Sequence, residues 1–298
     1  MSNCFDMQEE GGTVLYFGYG SNLDWDDWSE WCLDNGFGPE GMTEIGPAWL
    51  PDHSMAFHYH SSSRNGGAAD IVRTKKGCAV PGVLFRLDEQ ALRAMDRKEG
   101  HPSYYERRIV HPTTPDGVEH EALTYTVVAK KVKDEHIAPT QGYESLIRGG
   151  LERRGLPSDE LNSALNDDGV DHHISKIFVY GTLMEGESRH NVIGHLASGE
   201  GVKATCKGGL QDLGSFPGMV PDEESEVKGE LYSFSEMSAI LQTLDSIEGY
   251  QGPGDMHSLY KRTIVRAKSI EEDEWAWTYI YNGKGGSRIE SGDWHQRS

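Results

Sequence analysis

Short apolar runs rich in aromatic and β-branched residues alternate with glycine turns along this chain, and they recur in one order. Val14 to Leu23 reads VLYFGYGSNL, and Ile177 to Met184 reads IFVYGTLM. Each is a strand-like stretch ending in Tyr-Gly-Ser or Tyr-Gly-Thr, as a strand entering a tight turn does. GVLFRL from Gly82 is echoed by GELYSF from Gly229, and MDRKEG from Met95 by LDSIEG from Leu244. Tyr105-Glu106-Arg107 is echoed by Tyr260-Lys261-Arg262, and ALTYTV from Ala122 by AWTYIY from Ala276. The offsets between partners run from roughly 147 to 163 residues. Such a period is far above the 20–50 residues of stacked repeats, so the chain is a duplicated domain.

The pattern also predicts helices. Leu, Ala and Met recur at helical spacing over Asp88 to Lys98, and again over Ser235 to Ile247. Tyr143 to Leu165 reads as two helices around the turn Gly155-Leu156-Pro157, with no counterpart in the second half. Asn166-Asp167-Asp168-Gly169 is a polar break, so the linker falls near 166–175 and the domains at 1–165 and 176–298. Strands with short helices and many glycines predict α+β architecture: a small mixed or antiparallel β-barrel with short helices, built twice. Each half is expected to form its own core.

Composition narrows the partners. In 298 residues, 28 Lys and Arg face 48 Asp and Glu, a net charge of −20. Phosphate backbones and anionic membrane surfaces repel such a chain, so neither nucleic acid nor a membrane is expected as partner. No apolar run reaches the roughly 20 residues of a membrane helix, and MSNCFDMQEEGG lacks the features of a signal peptide. Cys4, Cys32, Cys78 and Cys206 lie far apart without ligand spacing, which predicts free thiols in a reduced, cytoplasmic setting.

YGSNL after a first strand, a helix ending in D-x-x-E-G, and a Y-x-R strand resemble the γ-glutamylcyclotransferase superfamily. The second half, with VYGTLM, LQDLGSFPGMVP, V-x-G-E-L-Y, LDSIEGY and the terminal SGDW, resembles its AIG2-like, γ-glutamylamine branch. The resemblance implies a reaction in which a γ-glutamyl amide or peptide loses 5-oxoproline as its own α-amine attacks the γ-carbonyl. Neither metal nor organic cofactor is implied. Orientation supplies much of such a ring closure, and one carboxylic residue of raised pKa can move both protons. Glu99 and Glu248 stand at the family's acid/base position, each just before a helix-ending glycine.

Tyr19, Gly20, Ser21, Asn22 and Leu23, and in the second half Tyr180, Gly181, Thr182 and Leu183, form the turns expected to receive the glutamyl group. Consecutive N–H groups in such a turn make a concave donor site. Tyr105 and Tyr260 are candidates to close the pockets, while Arg107 and Arg262 are expected to brace the fold. The halves diverge where Asn22 becomes Leu183, and where the Glu-to-Tyr interval grows from six residues to twelve. That insertion is expected to reshape or cover the amine side of the second pocket. The loop Ser61 to Gly67 (SSSRNGG) is a candidate cover for the first.

Other signals weigh less. Trp25, Trp28 and Trp31 read as helix packing, His58 and His60 as surface or pocket residues rather than metal ligands, and Glu271 to Glu274 as a hairpin tip. Two rival functions remain: a hydrolase or acyltransferase acting on γ-glutamyl amides, and a protein that binds such compounds without turnover.

Overall fold

The structure, a computed structural model, describes residues 12–297. Cys4 and the rest of the N-terminal segment discussed above lie outside the described residues. Among the described residues two compact units are present, one comprising 12–74, Ala79–Pro112 and Glu121–Asp171, the other Lys75–Cys78, Thr113–His120 and 172–297.

The first unit contains strands β1 (Val14–Gly18), β2 (Met42–Pro51), β3 (His53–Ser61), β4 (Gly66–Arg73), β5 (Ala79–Leu87), β6 (Tyr105–Val110) and β7 (Ala122–Val127). Its helices are α1 (Trp25–Asp34), α2 (Glu89–Glu99), α3 (Gln141–Glu152) and α4 (Asp159–Asn166). The main sheet runs β2-β5-β1-β7-β6, and β3 pairs with β4 as a separate hairpin. The central β1 lies antiparallel to β5 and parallel to β7, with Tyr16 opposite Leu123. α2 begins where Asp88 accepts the Ala91 N–H, buries Ala91, Ala94 and Met95, and stops at Gly100 with φ of 63°. A side chain is strained at that angle, which is why the helix ends in glycine.

The second unit holds β8 (Lys176–Val179), β9 (Val202–Lys207), β10 (Gly209–Asp212), β11 (Pro217–Val220), β12 (Glu226–Ser233), α5 (Met237–Ile247), β13 (Tyr260–Ser269), β14 (Asp273–Tyr281) and β15 (Ser287–Arg288). β12-β8-β14-β13-β9 close into a barrel, while β11-β10-β15 form a small side sheet. β8 repeats the role of β1: antiparallel to β12, parallel to β14, with Ile177 opposite Trp277. The strand order is the same in both units, and α+β architecture holds in both.

Closure differs, for a local reason. In the second unit β9 joins β13 through Ala267, Lys268 and Ser269. The position aligned with Ala267 is Pro112, which has no N–H to donate, and β6 ends at Val110. The first sheet therefore stays open at β2 and β6.

The glycines that open the repeated GVLF/GELY strands share a cause. A Cβ on Gly82 would lie 2.4 Å from the Gly18 carbonyl oxygen, and one on Gly229 would lie 2.2 Å from that of Val179. Each permits β5 or β12 to pass closely beside the strand that carries the Tyr-Gly turn. Cys32, Cys78 and Cys206 are buried thiols. Among the described residues, no helix is long and apolar enough to cross a membrane.

Candidate active site

One arrangement of side chains is built twice. In D-x-x-E-G, the Asp and Glu are three residues apart and share one side of the helix end. Asp96 accepts from Arg107 (Nε 2.8 Å, Nη2 2.6 Å) and from the Tyr125 hydroxyl (2.7 Å). The Tyr125 carbonyl accepts the Tyr19 hydroxyl at 2.6 Å. Asp245 likewise accepts from Arg262 (3.2 Å), from the Tyr279 hydroxyl (2.7 Å) and from Lys76 Nζ. The Tyr279 carbonyl accepts the Tyr180 hydroxyl at 2.7 Å. In each unit the Tyr of the glycine turn is thus tied through one strand residue to the helix Asp. Arg107 and Arg262 brace this framework. The Glu three residues on lines a cavity with the turn.

The first cavity measures about 550 Å³. Tyr19, Gly20, Ser21, Asn22, Glu99 and Tyr105 all line it. Leu23 does not: it is fully buried, packed where a Cβ on Gly150 would meet it at 2.4 Å. Asn22 Nδ2 donates to Glu99 Oε1 at 2.7 Å and to the Tyr16 hydroxyl at 3.0 Å. Burial pushes the Glu99 carboxyl above its ordinary range, while the Asn22 amide and the charges of Lys98 and Arg64 pull it back. Tyr105 spends its hydroxyl on the Ala69 carbonyl at 2.8 Å, so it offers the cavity its ring.

Asp27, Arg64, Lys98 and Tyr143 also line this cavity and went unread in the sequence. Arg64, on the Ser61–Gly67 turn between β3 and β4, makes a bidentate pair with Asp27 (2.7 Å each) and reaches Ser21 Oγ at 3.0 Å. Its guanidinium lies 5.3 Å from the Tyr143 ring centre. Lys98 joins Asp27 from the other side at 2.8 Å. The flagged serine-rich turn and the start of α3 were the available signals. Of the three tryptophans, Trp28 is core, Trp31 lines the cavity and Trp25 is exposed.

The second cavity is smaller, about 140 Å³, and mostly apolar. Tyr180, Gly181, Thr182, Leu183, Glu248 and Tyr260 line it with Arg189, a residue the sequence pattern did not single out. Burial pushes Glu248 up to about 7, and the nearby Arg189 charge opposes this only in part. The Tyr260 hydroxyl donates to the Pro217 carbonyl. Of the segment inserted between Glu248 and Tyr260, Leu259 reaches the cavity wall.

His58 is engaged with Asp70 at 2.7 Å, and among the described residues no group of three His, Cys, Asp or Glu is placed to hold a metal ion.

A γ-glutamyl cyclotransferase, AIG2-like family model matches residues 16–145 and 177–296. The chain is 36% identical over 121 residues to γ-L-glutamyl-butirosin B γ-glutamyl cyclotransferase of Niallia circulans, covering 40% of this chain and 75% of that protein. It is 27% identical over 176 residues to the γ-glutamylcyclotransferase of Bos taurus, covering 55% and 86%. A solved γ-glutamyl cyclotransferase structure is 24% identical, covers 53% of this chain and 88% of its own, and superposes with a TM-score of 0.43. With the family pattern met in two successive segments, the chain belongs to the γ-glutamyl cyclotransferase, AIG2-like family, as a tandem repeat.

Proposed function

We propose that both units are γ-glutamyl cyclotransferase sites that convert a γ-glutamyl amide into 5-oxoproline and a free amine. The observation that carries this reading is the placement of a buried-edge carboxyl, Glu99 or Glu248, in one cavity with a Tyr-Gly-Ser/Thr turn. A cavity holding both groups can orient a zwitterionic head and accept its proton.

The chemistry balances without a further reactant. The ionised Glu takes one proton from the substrate's α-ammonium, and the freed amine attacks the γ-carbonyl carbon. The developing oxyanion is steadied by backbone N–H groups of the turn. Collapse breaks the amide C–N bond as the Glu returns its proton to the departing nitrogen. The second proton of the attacking nitrogen passes by way of the same Glu to the released amine, which leaves as an ammonium. Neither Ser21 nor Thr182 is needed as nucleophile. Tyr105 and Tyr260 act as ring walls, because their hydroxyls already serve backbone carbonyls. The larger first cavity suits a bulkier amine than the second.

The test is a panel of γ-glutamyl peptides, amines and aminoglycosides, with 5-oxoproline and glutamate quantified by mass spectrometry. Stoichiometric 5-oxoproline with free amine is expected, and N-acetylated γ-glutamyl substrates should not turn over. Release of glutamate, or turnover of an N-acetyl substrate, would replace this reading by a hydrolase.

A further inference from the structure

Two charged side chains line the second cavity: Glu248 and Arg189. Around them stand Ile177, Phe178, Leu244, Phe216 and Leu259. The backbone N–H of Arg189 donates to the Thr182 carbonyl at 2.8 Å, and His190 Nδ1 contacts the Leu183 carbonyl at 3.1 Å. These bonds fold the segment after the Tyr-Gly-Thr turn back on itself and put Arg189 at the cavity.

Nearby carboxylates are taken by other groups. Glu187 faces Arg297 at 3.5 Å and His295 at 3.9 Å, and Glu230 accepts from Lys203, Tyr232 and the Glu185 N–H. The charge of Arg189 is instead felt at Glu248 and Tyr260. The first cavity has a different solution, since Arg64 there is already clamped on Asp27. Nor does the first repeat have an equivalent of Arg189: α1 starts at Trp25, two residues beyond its turn.

We propose that Arg189 anchors the α-carboxylate of the γ-glutamyl group in the second cavity, opposite Glu248, which faces the α-ammonium. The inference rests on the cyclotransferase reading of that cavity. A glutamyl head carries one anion and one cation at the same carbon, and this apolar cavity offers one guanidinium and one carboxyl. Buried without Arg189, the substrate carboxylate would lose its water with no compensating partner. A guanidinium supplies two parallel donors to a carboxylate that stays unchanged from bound substrate through to product, so it binds the head equally at every stage.

The experiment uses the full chain carrying E99Q, which silences the first site. Two substrates are compared: a γ-glutamyl methylamide, and the 4-aminobutanoyl methylamide that lacks only the α-carboxylate and closes to 2-pyrrolidinone. Adding R189A should raise KM for the glutamyl compound about 10- to 100-fold with little change in kcat, as loss of a charge-assisted contact made throughout the reaction does. The 4-aminobutanoyl compound should be unaffected, and R189K should fall between. Unchanged KM and unchanged discrimination would overturn the anchor. If the E99Q chain forms neither product, cyclisation at this site is wrong, and calorimetry judges Arg189 alone. Two binding sites for 5-oxoproline should then become one in E99Q/R189A, and an equal count in both would reject the proposal.

Discussion

Asn22 donates its side-chain amide to the Glu99 carboxylate across 2.7 Å, whereas Leu183, at the aligned position, has no donor to give Glu248. This donor, together with the charges of Lys98 and Arg64 beside Glu99, sets the two carboxyls apart. With Glu as the initial base, turnover at the second site should fall as pH drops through about 7, where Glu248 takes up its proton. The acid limb at the first site should lie lower. Asn22→Leu should move that limb upward and Leu183→Asn should move the second downward. Rate–pH profiles on single-site E248Q and E99Q backgrounds measure both, and superimposable limbs would reject the link.

The same carboxyl makes a stability prediction. Glu248 has a folded-state pKa of about 7 against an ordinary 4.5, so between these values the unfolded chain releases a proton that the folded chain keeps. Stability is therefore highest below pH 4.5 for this group, and is lost as pH rises through about 7. Glu248→Gln removes the penalty and should gain on wild type by roughly 1–2 kcal/mol between pH 5 and 8, after discounting a ceiling of about 3 kcal/mol. Denaturation midpoints at the two pH values give the comparison.

Glu→Gln changes should also separate the substrates. Gln keeps the size of Glu but cannot shuttle the proton, so a loss of about 10²–10⁴-fold is expected wherever that site dominates. Glu99→Gln should abolish turnover of bulky γ-glutamyl amines that fit the 550 Å³ cavity, and Glu248→Gln that of small ones suited to 140 Å³. If one single variant matches wild type on every compound and the other matches the double variant, only one unit catalyses.

The framework carboxylates are expected to be unequal. Arg262 is 1% exposed, so Asp245→Ala leaves a buried guanidinium without its carboxylate and should cost about 3–5 kcal/mol. Arg107 is a quarter exposed, and Asp96→Ala should cost about 1–2 kcal/mol, since water can replace much of that pair. Urea titration of both variants reads the difference directly.

Fragments test the boundary near 166–175. Residues 1–165 should fold alone, and 176–298 should fold with reduced stability. The second compact unit also includes Lys76, which bonds Asp245, and Glu119, which accepts from Lys261 Nζ at 2.9 Å and the Gly254 N–H at 3.1 Å. Restoring the full chain should recover the lost midpoint. Two unfolded fragments would show that the boundary is drawn in the wrong place.

The duplication was legible because its blocks carry the framework. Tyr19 and Tyr180, Asp96 and Asp245, and Arg107 and Arg262 all hold backbone or each other, and such roles demand the same residue twice. The helices read from periodicity also stand where expected, α2 over Glu89–Glu99 and α5 over Met237–Ile247. Arg64, Lys98, Tyr143 and Arg189 were hidden for the opposite reason. Arg64, Tyr143 and Arg189 come from segments without a counterpart in the other half, and only the tertiary path of those segments brings them to a cavity. Lys98 lies inside a repeated block, but its counterpart is Ile247, so the repeat did not mark it. Leu23 sits in the YGSNL motif yet points into the core, since a short helical turn over Ser21–Leu23 turns successive side chains to different sides. The open first sheet turned on one residue, Pro112, outside any repeated block.

The tie from turn tyrosine to helix aspartate has an evolutionary consequence. It fixes the rotation of each D-x-x-E-G helix from beneath, so the glutamate keeps its aim whatever happens at the cavity rim. The segments that differ, a hairpin turn and α3 in one copy, a returning loop and an insertion in the other, attach at ends the tie does not use. Either copy can therefore exchange its rim and explore new amines without re-solving the placement of its acid, and the gene that carries both can alter one specificity while the other is still in service.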